Sequence, residues 1–123
     1  MKMMVNGKEV KWEDAPKGWF PVSGVKMHVL WRDEKTGANI TLFRAPKGKG
    51  WDSPHSHPNV NEVSIGISGE METPDGTNWK FSADNLMLSH SPKGTTHGTA
   101  GGKVIQEATW IRYQDGAGTR VNK

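Results

Sequence analysis

The stretch HSHPNVNEVSIGI, residues 55–67, decides how the rest of the chain is read. From Glu62 onward apolar residues recur at every second position, so Val63, Ile65 and Ile67 share one face of an extended chain and Glu62, Ser64 and Gly66 the other. A period of two predicts a strand. The Glu62 face is small and polar, as the lining of a cavity is. The Val63 face is apolar and needs a cover, which an N-terminal strand or a second subunit would supply. Ahead of this strand His55 and His57 lie two residues apart, so in extended chain they point the same way.

The surrounding sequence repeats the strand signal. Fifteen glycines and seven prolines cut the chain at EKTG (34–37), APKGKG (45–50), SPHSHPN (53–59), TPDG (73–76), SPKG (91–94) and AGG (100–102). Between the cuts lie VKMHVLWR (25–32), NITLFR (39–44), EVSIGI (62–67), NWKF (78–81), LMLSH (86–90) and VIQEATWIRY (104–113), rich in β-branched and aromatic residues. Short strands between evenly spaced turns predict an all-β sandwich or barrel. Only WEDAPKGW (12–19) has room for a helical turn, and Pro16 limits it. The expected organisation is one domain over 1–123, with a core at about 25–113, an N-terminal extension at 1–24 and a mobile tail at 114–123.

Composition narrows the chemistry. There are no cysteines, which excludes disulfides, thiolate metal sites and thiol nucleophiles. The net charge is +3, but Lys8, Lys17, Lys35, Lys47, Lys80, Lys93 and Lys103 are dispersed, and a nucleic-acid partner would require clustering. The N-terminus, MKMMVNGKEVKWED, lacks the apolar run of a signal peptide, and no segment approaches the roughly 20 apolar residues of a membrane span. A soluble, cytoplasmic protein without nucleic-acid or membrane partners is expected. Six tryptophans stand against three phenylalanines and one tyrosine, and their first use is core or interface packing. Trp51, next to the histidines, is the one placed for stacking on a ligand.

A distant third histidine changes the reading of the first two. PKGTTH (92–97) places His97 just after a Pro-x-Gly turn. Two histidines in a polar loop are commonplace, but two nitrogens, a carboxylate and a third nitrogen form a set suited to Fe, Mn, Co, Ni, Cu or Zn. If such a set converges, positions remain open for water or substrate, as in catalytic rather than closed structural sites. Glu62 serves either as a direct ligand or as an acceptor that orients a histidine. His28 reads as an ordinary strand histidine. His90 shares a strand face with Leu86 and Leu88 and is a candidate to face the cavity near the metal.

The full spacing is His55-x-His57, four residues, Glu62, six residues, Gly69, and later Pro92-x-Gly94-x-x-His97. It resembles the two motifs of the cupin superfamily. That resemblance implies a double-stranded β-helix, a jelly-roll-like barrel, with His55, His57, Glu62 and His97 as metal ligands and the three histidines at the catalytic centre. It covers roughly residues 39 to 113. Upstream, Asp33-x-x-Thr36-Gly37 and Arg44-x-Pro46-x-Gly48 look like the cupins related to acetylacetone-cleaving dioxygenase and to the cupin module of zinc-binding anti-sigma factors. Two departures stand out. The glycine that usually opens the first motif is out of register at Gly48 or Gly50, and Leu86 and Gly101 stand where the second motif usually has glycine and asparagine.

The resemblance implies a mononuclear non-haem dioxygenase acting on a small diketone-like or phenolic compound, with one divalent transition metal. Fe2+ is the favoured ion, with Zn2+, Ni2+, Mn2+ and Cu2+ as the others. The competing readings are a sensory cupin, whose partner domain this chain has no room for, and an isomerase-type cupin that uses its metal as a Lewis acid. Arg44, Ile40, Leu42, Trp51, Met71, Met87, Leu88 and Trp110 are the candidates to line the pocket. The apolar Val63 face, the tryptophans and the resemblance together point to a homodimer.

Overall fold

The computed structural model of the chain describes residues 2–17, 19–20, 24–48, 54–98 and 101–123, and every regular element among them is a β-strand. In chain order these are β1 (Met4–Val5), β2 (Lys8–Glu9), β3 (Glu13–Asp14), β4 (Lys26–Arg32), β5 (Asn39–Ala45), β6 (His55–Ser56), β7 (Glu62–Glu72), β8 (Asn78–Phe81), β9 (Met87–Ser91), β10 (Thr96–His97), β11 (Lys103–Gln114) and β12 (Val121–Asn122). The predicted all-β architecture is present. Among the described residues no helix is long and apolar enough to cross a membrane. Among the described residues of the 12–19 segment, β3 pairs with β4, and a turn follows in which the Trp19 N–H donates to the Pro16 carbonyl at 3.2 Å.

Two antiparallel sheets carry the architecture. The larger runs β3-β4-β5-β11-β7-β8, with β9 also paired to β7, and the smaller runs β10-β6-β12. β1 and β2 form a separate hairpin. The long strand β7 pairs along its length with β11, while its first half pairs β9 and its second half β8. Gly69 permits this. At its φ of +131° side chains are disfavoured, and a Cβ there would sit 2.6 Å from the Ala108 Cα and 2.8 Å from the Glu107 carbonyl. The β7–β11 register shifts in the same region, at a bulge that only a residue without a side chain accommodates.

Register places the inner-face residues in rows across the sheet. Glu62 stands opposite Gln114, which stands opposite Asn39; Ser64 opposite Arg112 and Thr41; Gly66 opposite Trp110 and Phe43. On the other edge of β7 the rows continue as Ser91, Ser89 and Met87. The polar row thus lies at the β6 end and the aromatic row deeper. There Phe43, Ala45, Met71, Phe81, Val104 and Ala108 form the buried core, with Trp19, Phe20, Met87 and Trp110 packed against it. Each large apolar side chain buried this way contributes about 1.5–3 kcal/mol.

The outer face carries Val63, Ile65, Ile111, Tyr113, Ile40 and Leu42 by the same alternation. Its β4–β5 end is touched by the N-terminal segment, where the His28 Nδ1–H donates to the Lys11 carbonyl at 3.0 Å and Trp12 stacks on the Arg44 guanidinium at 4.4 Å. Its β9 end is open, with Leu86 and Leu88 56% and 70% exposed. At the C-terminal end Gln114 closes β11, and Val121–Asn122 pair as β12 on β6.

Candidate metal centre

Three short strands bring the histidines together. β6 is brief because Pro54 precedes it and Pro58 follows His57, and proline donates no ladder hydrogen bond. In the register of β6 with β10, His55 stands directly opposite His97, so both side chains leave the small sheet on one face. His57, two residues on, joins them. The ring centroids are 4.1 Å apart for His55–His97, 4.9 Å for His55–His57 and 5.2 Å for His57–His97. One nitrogen from each ring falls within 4.8 Å of the other two.

The second histidine-bearing loop is fastened to the first. Gly94, at φ +79°, occupies the left-handed position of a turn closed by the Thr95 N–H on the Pro92 carbonyl at 2.9 Å. Its own N–H donates to the His57 carbonyl at 3.0 Å. Asn61 completes the tie: its Oδ1 accepts from the Lys93 N–H at 2.9 Å, while its backbone N–H and its Nδ2 donate to Asp115 at 2.9 and 2.8 Å.

Glu62 faces this cluster from the larger sheet. One carboxylate oxygen lies 3.1 Å from His97 Nε2; the other lies 3.5 Å from His57 Nε2 and 3.7 Å from Arg112 Nε, and accepts from Gln114 Nε2 at 2.8 Å. Burial alone would raise the Glu62 pKa, but the His97 hydrogen bond, the Arg112 charge and the Gln114 hydrogen bond outweigh it and hold the carboxyl at about 2. Burial lowers the pKa of His57, against the opposing effects of its Thr119 hydrogen bond and the Glu62 charge. The His57 Nδ1–H donates to the Thr119 carbonyl at 2.8 Å; because a carbonyl only accepts, the Nε2 lone pair is left for a ligand.

This donor set fits a divalent transition metal. Neutral imidazoles with at most one carboxylate suit first-row ions, and three or four protein ligands leave coordination positions open. His97 Nδ1 is buried without a hydrogen-bond partner among the described residues, the kind of deficit that marks a functional site. The histidines form one wall of a cavity of about 440 Å³. Glu62, Ser64, Ser89, Ser91 and Gln114 line its polar end, and Trp19, Phe20, Phe43, Phe81, Met71, Met87 and Trp110 its apolar end, with Arg112 between them. Arg112 lies over the Phe43 ring at 4.6 Å and the Trp19 ring at 5.4 Å. Trp110 stacks on Phe43 at 5.2 Å, and Phe20 meets both rings edge-on.

Among the residues singled out in the sequence, His55, His57, Glu62 and His97 come together, and Trp110, Met71 and Met87 line the cavity. Arg44 does not line it. It alternates with Phe43 and Ala45 onto the outer face, as do Ile40 and Leu42. Leu88 is likewise outside. His90 borders the cavity but is exposed and stands opposite Val63, so its strand register sets it with Leu88 on the outer face. Trp51 lies outside the described residues. Arg112 and Gln114 were missed, although the alternation that places Trp110 inward carries its second and fourth successors inward too. Trp19 and Phe20 belong to the N-terminal extension and had no periodic signal to find them by.

Two antiparallel sheets enclosing a cavity, with a histidine cluster carried by the smaller one, make a double-stranded β-helix, and this is the fold of the chain. No family model and no curated protein matches it. Solved structures do. An acetylacetone dioxygenase from Acinetobacter johnsonii aligns with a TM-score of 0.59 and 18% identity over 92% of this chain and 76% of its own. KdgF from Halomonas sp. aligns with a TM-score of 0.58 and 12% identity over 85% of this chain and 87% of its own. A protein with a double-stranded β-helix domain from Klebsiella pneumoniae gives 0.58 and 16% over 88% and 83%. At these identities the likeness is one of fold.

Proposed function

We propose that the chain is a metal-dependent dioxygenase acting on a small diketone-like or phenolic compound, with one divalent transition metal, Fe2+ the favoured ion, held by His55, His57 and His97. The carrying observation is the juxtaposition of the histidine cluster with an aromatic cavity. Glu62 stands close enough to be a fourth ligand or an acceptor from a histidine. The metal would supply the activation of oxygen and of the substrate's oxygen atoms.

The protein's own share is binding and orientation. Phe43, Trp110 and Phe20 offer flat apolar surfaces, which suit a planar, weakly polar molecule. Arg112, at the boundary of the two ends, places a cation where an enolate or phenolate oxygen would lie, and its contact with Glu62 links that cation to the histidines. The apolar wall keeps water from the reacting oxygen atoms. Similarity in fold to an acetylacetone dioxygenase supports the substrate class.

The test is elemental analysis of protein purified without chelating resin, then oxygen uptake by the Fe2+-loaded protein on a panel of β-diketones and catechols. Iron-dependent uptake with one class, lost together with the metal in His97→Ala, is the expected result. Tightly held Zn2+ or Ni2+ with no uptake on any compound would overturn the dioxygenase reading in favour of a sensor or a Lewis-acid isomerase. We also propose a homodimer that buries the open β9 end of the outer face. Sedimentation at micromolar concentration should give twice the chain mass, and a monomer there would contradict it.

A further inference from the structure

The C-terminal tail is fastened to the histidine segment along almost its whole length. The His57 Nδ1–H donates to the Thr119 carbonyl at 2.8 Å. Asn59 grips the same turn from the other side: its Nδ2 donates to the Ala117 carbonyl at 2.7 Å, and its Oδ1 accepts from the Thr119 N–H at 2.9 Å and the Thr119 hydroxyl at 3.1 Å. Val121 and Asn122 then pair with Ser56 and His55, and the Lys123 N–H donates to the Pro54 carbonyl at 3.0 Å. At Gly118 the tail runs so close to Gln114 that a Cβ would lie 2.9 Å from its amide. Gln114 is the residue that donates to Glu62.

The tail is therefore more than a terminus at rest on the surface. β6 and β10 have two residues each, and a two-stranded ribbon of that length does not hold its geometry in water. β12 supplies the third strand and makes β6 the middle one. The Thr119 carbonyl does something packing alone cannot: it selects the Nδ1–H tautomer of His57.

We propose that residues 117–123 are a positioning element for the metal site, a strap that carries no ligand and sets metal affinity by fixing the His57 tautomer and the backbone of His55. This rests on the reading of the three histidines as the metal site. Asn59 is its buckle: it contacts no histidine in the hydrogen bonds described above, yet it holds Thr119 in place.

The experiment uses the full chain with Asn59→Ala, and Thr119→Val as a milder companion that removes the hydroxyl bond and keeps the carbonyl. Co2+ is titrated into the metal-free proteins and followed by its visible absorption, and the imidazole nitrogens are read by 15N NMR at pH 8. Asn59→Ala should weaken Co2+ binding about 10- to 100-fold, the range for loss of an outer partner of a ligand. It should also turn His57 from a single Nδ1–H tautomer into a mixture, and Thr119→Val should move both readouts the same way by a smaller factor. If the natural chain binds Co2+ and both variants bind it equally well with the His57 tautomer unchanged, the strap is overturned and the metal site stands. If the natural chain takes up no Co2+, the metal site and the strap fall together.

Discussion

Glu62 shows how much a single side chain is asked to do here. It is buried, charged, and held by a histidine, an amide and a guanidinium, so its proton leaves at about 2 in the fold against an ordinary value near 4.5. As pH falls the unfolded chain takes up that proton first. The stability Glu62 contributes is thus complete above about pH 5 and is lost on the way down toward pH 2. His57 acts in a higher window with the same sign: burial keeps it neutral in the fold, so protonation of the unfolded chain costs stability as pH drops below 6.5. Glu62→Gln should destabilise the metal-free protein at neutral pH by roughly 2–3 kcal/mol, because it removes the carboxylate charge beside Arg112 and leaves poorer hydrogen bonds to His97 and Gln114 behind. It should also remove the lower acid window and steepen the upper one, since the Glu62 charge is among the influences that raise the His57 pKa. Thermal melts by circular dichroism from pH 8 to 3 check this, and parallel curves for the two proteins would refute it.

Among the elements, β7 carries the most information because its two halves do different work. The first half faces β9 and presents Glu62 and Ser64 to the cavity, and the second faces β8 and closes the core. Gly69 sits between them with backbone atoms of β11 pressed against it. Gly69→Ala should lower stability by about 1–3 kcal/mol through backbone strain and overpacking, and should loosen the pairing of β11 with both halves. Hydrogen exchange of the Lys103–Gln114 amides would report it; unchanged protection would show that the bulge tolerates a methyl group. Strands of this kind were legible in the sequence. β4, β5, β7, β8, β9 and β11 lie between Gly and Pro turns and show β-branched or aromatic runs, and the spacing of His55, His57, Glu62 and His97 marked the centre. The elements of two residues were not legible, because a pair of residues has no period. β3, β10 and β12 exist through tertiary pairing alone, and so the pairing of the tail with the histidine segment had no signal in the sequence. His90 is a related case: alternation gives two faces but not which one is inward, and His90 borders the cavity although Leu86 and Leu88 on its strand face are exposed.

Seen whole, the molecule separates its chemistry between two ends of one cavity. The small sheet, with Glu62 and the tail, builds the end that carries the histidine cluster, whereas β5, β8 and β11 build the aromatic end, which the N-terminal segment completes through Trp19 and Phe20. The extension that looked peripheral in the sequence is therefore part of the site. Because Trp19 lies against Arg112, its loss should be felt by the substrate and not by the metal. Trp19→Ala would widen the cavity around the guanidinium and admit water there, weakening the cation's hold on an enolate or phenolate oxygen. An increase in KM of about tenfold is expected, equivalent to roughly 1.4 kcal/mol of binding, with the metal-to-protein ratio unchanged. Metal analysis and steady-state kinetics on the same preparation separate the two quantities. A variant that loses metal in proportion to activity would show that the aromatic end holds the histidines in place, and the division of the cavity would then be wrong.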